Sequence, residues 1–200
     1  MDSNLKTLET YQSHFDRYIK DTASITTGFQ KQWLEYVLSN VNKSARILEI
    51  GSAFGWDAEF IRGNGYTKLS VTDAFDAALD ELGKKGFQAK KFNVLTDEMN
   101  ETYDLIIASA VFLHFTATEL SGVLNRIKKN LSADNGLLAF SVKIGQGEEW
   151  SSHKMDAPRY FHYWLQDELV QFVEENGYKT VDVRQTDDSK WLCATCKVVR

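Results

Sequence analysis

Three polar or small-residue positions follow apolar stretches of the sequence and could together bind a ligand. The stretch ARILEI leads into a small-residue turn from Glu49 to Gly55, and two further apolar stretches end in Asp73 and Asn93. Small residues let a backbone approach a ligand closely, and the helical stretch after the turn begins with unpaired N–H groups. A carboxylate at position 73 can accept hydrogen bonds from both hydroxyls of a ribose, and an amide at position 93 can read the edge of an adenine. These positions predict a site for a nucleoside-containing ligand.

Apolar runs alternate with amphipathic stretches from Ala45 onwards, and these elements must bring the three positions together. The apolar runs predict strands and the amphipathic stretches predict helices. Strands are predicted over 45–50, 68–73, 87–94, 103–111, 136–144, 178–185 and 191–199. Helices are predicted over 57–65, 74–86, 116–131 and 165–177. Regular alternation implies right-handed βαβ crossovers and an α/β, doubly wound, Rossmann-like sheet of seven strands.

The connection between the last two predicted strands distinguishes the end of the sheet from the rest. It contains only about five polar residues, whereas a parallel crossover needs a dozen or more. The seventh strand is therefore expected to run antiparallel and form a terminal hairpin with the sixth. In open α/β sheets, ligands bind outside the carboxyl ends of the strands, where the strand order reverses. We expect Glu49, Asp73 and Asn93 to meet there.

A nicotinamide cofactor is an alternative ligand, because its proteins also carry an acidic residue after the second strand. Its GxGxxG fingerprint would require glycines at positions 51, 53 and 56. The chain has Ala53 and Trp56 at the last two. A tryptophan fits poorly where the third glycine normally permits close packing of helix on strand. The sequence therefore favours S-adenosylmethionine over a nicotinamide cofactor.

Residues 45–143 resemble the core of the class I S-adenosylmethionine-dependent methyltransferases. The matching stretches are ARILEIGSAFGWDAEFI, LSVTDAFDAAL, KFNVLT, YDLIIASAVFLHF and the helix–strand pair ending NGLLAFSVK. The family's turn usually reads ExGxGxG, so Ala53 replaces its middle glycine, and Asn93 stands where an aspartate is more frequent. The resemblance implies the class I fold, S-adenosylmethionine as cofactor and methyl transfer as the activity.

The resemblance also implies a cofactor-binding set that takes one segment from each strand end. The turn surrounds the methionine and ribose, the acidic residue binds the ribose hydroxyls, the third segment contacts the adenine and the fourth lines the floor near the sulfonium. In that order, the segments are Glu49, Gly51, Ser52, Ala53, Gly55 and Asp57, then Asp73 and Ala74, then Asn93 and Val94, and finally Ser109 and Ala110. Two roles stay open. Asp57 either stabilises the helix dipole or binds the cofactor amine, and Glu49 either reaches that amine or holds the turn.

The flanking segments extend the resemblance to much of the chain. FDRYIKDTASI resembles an opening helix that covers the cofactor, and GQGEEW…RYFHYWLQDEL resembles a bacterial subgroup akin to tellurite-resistance-type methyltransferases. We therefore expect a single domain over 1–200. Helices within 1–44 would cover the cofactor, 45–200 would form the sheet core, and 145–164 would close over the methyl acceptor.

Candidate acceptor-binding residues lie after the fourth and fifth strands, where the acceptor should approach. His114 could take a proton from the acceptor or simply pack or cap the next helix. Arg159, which is always charged, could anchor a carboxylate or phosphate of the acceptor. The remaining candidates are Tyr160, His162 and Tyr163, in an aromatic run whose alternate residues face inwards if the run is extended. The alternative is that this run only covers the sheet.

The composition of the chain narrows the classes of partner that it can bind. The formal net charge of −5 argues against a broad nucleic-acid surface, because each phosphate contact generally needs a Lys or Arg. No apolar run is long enough for a membrane helix, and the N-terminus resembles no secretory signal. With only two cysteines, we expect a cytoplasmic protein acting on a small-molecule acceptor.

Cys193 and Cys196 are three residues apart on a predicted strand, so their thiols should face opposite sides of the sheet. A structural zinc needs about four ligands, and no second cysteine pair exists; we expect no metal site. Three other functions stay open on the sequence: a wobble-uridine tRNA methyltransferase, a nicotinamide oxidoreductase, and a non-catalytic module that binds S-adenosylmethionine.

Overall fold

The computed structural model describes residues 3–22, 28–133 and 135–199. Within them, seven strands form one mixed sheet and two more form a separate hairpin. The strands are β1 (Ile47–Ile50), β2 (Leu69–Asp73), β3 (Lys90–Lys91), β4 (Leu105–Ala108), β5 (Leu137–Lys143), β6 (Glu148–Ser151), β7 (Arg159–His162), β8 (Tyr178–Gln185) and β9 (Trp191–Val198). The α-helices are α1 (Ser3–Ser13), α2 (Phe15–Lys20), α3 (Gly28–Ser39), α4 (Trp56–Gly63), α5 (Asp76–Lys84), α6 (Ala117–Asn130) and α7 (Gln166–Glu175).

The sheet has the doubly wound topology that the sequence predicts. Its strand order is β3-β2-β1-β4-β5-β9-β8, and the first five of these strands are parallel. Strand β9 runs antiparallel to both of its neighbours, β5 and β8. This confirms the terminal hairpin and the class I methyltransferase fold. The order reverses between β1 and β4, so a crevice opens at their carboxyl ends.

Both faces of the sheet are covered, which is why its central strands are almost wholly apolar. On one face, Ile47 and Ile107 pack with Trp33 of α3. On the other, Leu48 and Ile106 belong to a core that includes residues of α6 and α7. Packing from both sides fixes the register of β1 and β4, and so fixes the position of the crevice at their ends.

Strand β9 places the two cysteines as the sequence predicts. Cys193 packs in the core with Trp33, whereas Cys196 packs in the core on the opposite face. Both are buried free thiols, and burial raises the pKa of each to about 12. Their thiols are therefore protonated and packed at neutral pH.

Two predicted strands are shorter than expected. The third covers only Lys90–Lys91 rather than 87–94, because it lies at the sheet edge and the chain turns at Asn93, whose side chain accepts a hydrogen bond from the Leu95 amide. The fourth ends at Ala108 rather than at 111, because Ala110 has a left-handed φ of 56° and a 3₁₀ turn follows.

The segment after β5 is a hairpin rather than a single extended stretch. Strands β6 and β7 pair antiparallel, with Trp150 opposite Tyr160. The hairpin also contacts α1, since the Tyr160 amide donates to the Thr7 hydroxyl and the Thr10 hydroxyl donates to the Pro158 carbonyl. The first helix and the hairpin therefore meet beside the crevice. No helix in the described part of the chain is long and apolar enough to cross a membrane.

Candidate functional site

Three neighbouring cavities open at the carboxyl ends of the parallel strands. We name them by one buried residue each: the Asp73 cavity of about 110 Å³, the Glu49 cavity of about 620 Å³ and the Arg159 cavity of about 410 Å³. Tyr18 and Ala110 line all three. The three cavities therefore meet at one point, next to the turn that follows β4.

Asp73 ends β2 and is only 3% exposed. Its Oδ2 accepts a hydrogen bond from the Ala53 amide at 2.8 Å, and its Oδ1 accepts one from the Ala74 amide at 2.7 Å. Burial raises the pKa of this carboxyl to about 6, against the opposing effect of these backbone donors. The Phe75 amide also donates to Oδ1, at 3.4 Å, so Oδ2 is the oxygen that retains a lone pair for a donor from a ligand. The carboxylate thus holds the β1–α4 turn and also faces the Asp73 cavity.

Asn93 and Val94 also line this cavity, as does Ala74. The Asn93 Nδ2 donates to the Asn4 Oδ1 at 3.0 Å, so α1 lies across the cavity. The sequence reasoning missed the polar residues of α1 that contribute here, which are Asn4, Thr7 and Tyr11. Their signal was a row of polar side chains at helical spacing on a face that a packed helix would normally fill with apolar ones.

Every second residue of the β1–α4 turn, from Gly51 to Gly55, has a left-handed backbone. The φ angles are 69° at Gly51, 44° at Ala53 and 75° at Gly55. Ala53 therefore holds a conformation that favours the glycine it replaces, at a cost of roughly 1–2 kcal/mol. Gly51 and Ala53 line both the Asp73 and Glu49 cavities.

Gly55 differs from its predicted role, because it lies outside the linings of these cavities. A Cβ there would come within 2.7 Å of the Leu82 side chain. Its glycine is thus required by the packing of the turn on α5 and by the left-handed start of α4 rather than by approach to a ligand.

Glu49 is the last residue but one of β1 and is 2% exposed, with Ser52 Oγ donating to its Oε2 at 2.7 Å. Burial, followed by the negative charges of Asp57 and Asp73, raises the pKa of Glu49 to about 8. Glu49, Ser52 and Asp57 all line the Glu49 cavity. Acidic side chains that raise one another's pKa favour a cationic ligand, because its charge would offset the repulsion between their ionised forms.

Asp57 is placed for either of the two roles that the sequence left open. It lies in the first turn of α4 and it lines the Glu49 cavity. Its Oδ2 accepts a hydrogen bond at 2.9 Å from Gln30, whose amide nitrogen also lies 3.2 Å from Ser109 Oγ. Gln30 of α3, which sequence reasoning missed, thereby links the carboxylate to the segment after β4. That segment supplies Ser109 and Ala110, which line both this cavity and the Asp73 cavity.

His114 is buried in a hydrogen-bond network. Its Nδ1 lies 2.7 Å from the Tyr160 carbonyl oxygen, so Nδ1 carries the hydrogen, and its Nε2 accepts from the Tyr11 hydroxyl at 2.9 Å. Burial lowers the pKa of His114 to about 3. The ring is neutral at pH 7 and both nitrogens are engaged, which favours the packing role over that of a proton acceptor.

Side chains of β7 alternate between its two faces, so the candidate acceptor-binding residues of the hairpin lie on opposite faces. Arg159 and Tyr163 line the Arg159 cavity together with Phe161. Tyr160 and His162 point to the other face, where they contact Trp150 and Trp164 respectively. Their side chains are therefore not placed to touch a molecule in this cavity, contrary to the sequence-based expectation. No group of three or more His, Cys, Asp or Glu side chains that could hold a metal ion occurs in residues 3–22, 28–133 and 135–199.

A family model described as "Methyltransferase domain" matches residues 18–183, which is most of the chain. The chain belongs to this methyltransferase family. With the sheet order described above, it is a class I S-adenosylmethionine-dependent methyltransferase, as the sequence predicted. Membership also excludes the nicotinamide oxidoreductase alternative. A comparison with curated proteins finds no significant match.

Solved structures of low sequence identity share the fold of the methyltransferase over nearly its whole length. That of DhpI with SAH has a TM-score of 0.77 at 14% identity and covers 98% of this chain and 97% of its own. The 1,6-didemethyltoxoflavin-N1-methyltransferase of Burkholderia thailandensis, with bound 1,6-didemethyltoxoflavin and S-adenosylhomocysteine, gives 0.74 at 16%, covering 96% and 88%. The magnesium protoporphyrin IX methyltransferase of Synechocystis PCC 6803 with bound SAH gives 0.73 at 12%, covering 98% and 100%. At such identities the likeness establishes the fold.

Proposed function

We propose that this methyltransferase transfers a methyl group from S-adenosylmethionine to a small-molecule acceptor in the Arg159 cavity. The observation that carries the proposal is the junction of the three cavities at Tyr18 and Ala110. A cofactor that spans the Asp73 and Glu49 cavities would present its reactive centre at this junction, where the Arg159 cavity opens. The DhpI and B. thailandensis structures both contain S-adenosylhomocysteine (SAH), the demethylated cofactor, which supports the choice of S-adenosylmethionine.

The residues of the first two cavities fit the two ends of the cofactor. In the proposal, the nucleoside lies in the Asp73 cavity, with Asp73 accepting from the ribose hydroxyls and Asn93 and Val94 at the adenine. The amino-acid end lies in the Glu49 cavity, whose carboxylates favour its ammonium group. The buried Glu49 and Asp73 support this placement, since both have pKa values raised by burial.

Methyl transfer requires orientation more than proton chemistry. S-adenosylmethionine supplies a methyl carbon already activated by its sulfonium. With the cofactor bound, the acceptor atom would bond to that carbon while the carbon–sulfur bond breaks and its electron pair goes to sulfur. The chain's own residues hold the reactants in line and exclude water; in the proposal, α1 covers the cofactor and segment 145–164 covers the acceptor. His114 serves this cover by tying Tyr11 to Tyr160.

The test is calorimetric titration of the Asp73→Asn variant with S-adenosylmethionine and S-adenosylhomocysteine. An amide at position 73 keeps one acceptor oxygen but loses the charge and one acceptor site, so we expect at least tenfold weaker binding of both ligands. Asp76→Asn is the matched control, because Asp76 is an exposed carboxylate three residues away that pairs with Lys91. Equal affinities of the two variants would contradict the assignment, and no binding by the unaltered protein would contradict the cofactor site.

A further inference from the structure

We propose that the methyl acceptor is an acidic small molecule whose oxyanion group binds Arg159 and Lys143, with Lys154 as a third positive charge. The inference rests on the proposed function, because it names the chemical class of the molecule that occupies the Arg159 cavity. It is carried by the balance of charges that line this cavity.

The first observation is the burial of Arg159, which is only 6% exposed. Its guanidinium donates to the Tyr11 hydroxyl at 3.1 Å and to the His153 carbonyl at 2.7 Å, and both of these partners are neutral. Its Nε is buried with no hydrogen-bond partner among the residues described. A guanidinium keeps its charge at any physiological pH, so burying it beside neutral groups is costly unless an anion completes its surroundings.

The second observation is the environment of Lys143, at the end of β5. Its ammonium lies 4.8 Å from the centre of the Phe161 ring and 5.8 Å from that of Trp191. Burial lowers the pKa of Lys143, and the charge of Arg159 lowers it further, against the opposing charge of Glu149. The Arg159 guanidinium carbon lies 5.0 Å from the centre of the same Phe161 ring. The two cations are therefore close enough to repel each other, and an anion between them would relieve that repulsion.

Lys154 adds a third cation to the same lining. Its ammonium donates to the Thr22 hydroxyl at 2.7 Å, and burial followed by the charge of Arg159 lowers its pKa. The carboxylate among the described lining residues is Glu149, which accepts a hydrogen bond from Tyr163. His114, with its pKa near 3, is neutral. Three cationic side chains and one anionic side chain leave an excess of two positive charges.

An oxyanion of about two negative charges would balance this excess, as a phosphate-type group or a pair of carboxylates does. The guanidinium fork can bind two oxygens of either group at once. The rings of Phe161, Tyr163 and Trp191 line the same cavity and would pack against the rest of the acceptor. A volume of about 410 Å³ is that of a small-molecule site. The shared chemistry of the acceptor is thus a doubly charged oxyanion.

The experiment is calorimetric titration of the protein, saturated with S-adenosylhomocysteine, with inorganic phosphate and separately with malonate at constant ionic strength. We expect at least one of the two anions to bind saturably, and the better one identifies a phosphate-type or dicarboxylate acceptor. Arg159→Gln and Lys143→Gln should each weaken that binding about tenfold or more, because each loses a charge-assisted contact. Lys129→Gln, at an exposed position of α6, should bind like the unaltered protein.

Failure of the inference can be told from failure of the proposed function. If the unaltered protein does not bind S-adenosylhomocysteine, the proposed function is contradicted. Retained S-adenosylhomocysteine binding with no binding of either anion, or with equal anion affinity in the unaltered and substituted proteins, would overturn the inference. Should Arg159→Gln fail to fold, Lys143→Gln decides the matter, since Lys143 is only half-buried and contacts aromatic rings.

Discussion

Glu49 shows how one side chain reports the kind of ligand that a site accepts. It is buried near the end of β1, its hydrogen-bond donor is the neutral hydroxyl of Ser52, and burial together with two further carboxylates raises its pKa. Such a group is poorly placed for the stability of the ligand-free protein, because burial penalises its charged form. A cationic group bound beside it would reverse that penalty, which is consistent with binding of an ammonium.

The raised pKa of Glu49 predicts a pH dependence of stability in the ligand-free protein. The pKa is about 8 in the fold against an ordinary value of 4.5, so between these values the native state retains a proton that the unfolded chain has released. Unfolding then releases a proton, and the free energy of unfolding falls as pH rises from about 4.5 to about 8. Urea denaturation across this range should show this fall in the free energy of unfolding. In the Glu49→Gln variant, the fall should be smaller by roughly 2 kcal/mol or more.

Glu59→Gln is the control for this prediction, because Glu59 is partly exposed and paired with Lys85. It should leave the pH profile unchanged. Parallel profiles for Glu49→Gln and the unaltered protein would show that Glu49 titrates normally in the fold.

Helix α1 is attached to the rest of the molecule in an unusual way. The residues it buries are polar, namely Asn4, Thr7 and Thr10. They bond to Asn93, to the Tyr160 amide and to the Pro158 carbonyl. Each such bond contributes only about 1 kcal/mol net. Tyr11 adds its contacts with His114, Arg159 and Phe75, so we expect α1 to detach more easily than a helix anchored by a buried apolar face. Since α1 lies across the Asp73 cavity, its detachment would open a route for the cofactor.

This attachment predicts a specific pattern of amide hydrogen exchange. In the ligand-free protein, amides of α1 should exchange faster than those of α7, which is anchored by the buried apolar Leu169 and Val173. Saturating S-adenosylhomocysteine should slow exchange in α1 several-fold, because a bound nucleoside adds contacts beneath the helix, and should leave α7 nearly unchanged. Mass-spectrometric exchange measures both helices in one experiment. Equal protection of α1 with and without the ligand would argue against its role as a cover.

The molecule as a whole places its cavities at the point where the strand order reverses. The chain leaves β1 and β4 toward opposite faces of the sheet there, and packing on both faces holds the ends of these strands at fixed positions. A ligand that spans the Asp73 and Glu49 cavities would therefore join segments from β1, β2 and β4 and from the N-terminal helices. Such a ligand stabilises the whole fold rather than one element.

A thermal-shift measurement tests this. At a hundred times its dissociation constant, S-adenosylhomocysteine should stabilise the protein by about 2.7 kcal/mol. For a chain of 200 residues, that free energy corresponds to a rise in Tm of roughly 5–10 °C. NADH at the same concentration is the control and should leave Tm unchanged. A comparable rise with NADH would contradict the selectivity inferred from Ala53 and Trp56.

The sequence by itself determined the features that depend on neighbouring residues. The period of its apolar residues gave the strands and helices, the short last connection gave the antiparallel β9, and residue types at strand ends gave Asp73 and Asn93 as candidates. These follow from local sequence because the carboxyl ends of parallel strands always lie at one edge of a sheet. The opposed directions of Cys193 and Cys196 followed from strand periodicity in the same way.

Only the tertiary structure decided what depends on contacts between distant segments. Which side of β7 faces the cavity is set by its pairing with β6 and its contact with α1, so it separates Arg159 from Tyr160. Lys143 lies beside Arg159 because β5 and the hairpin meet there, although 15 residues separate them in sequence. Gly55 looked like part of the site but packs on Leu82. Periodicity records which residues are buried on an element, whereas the packing of elements decides what each buried residue touches.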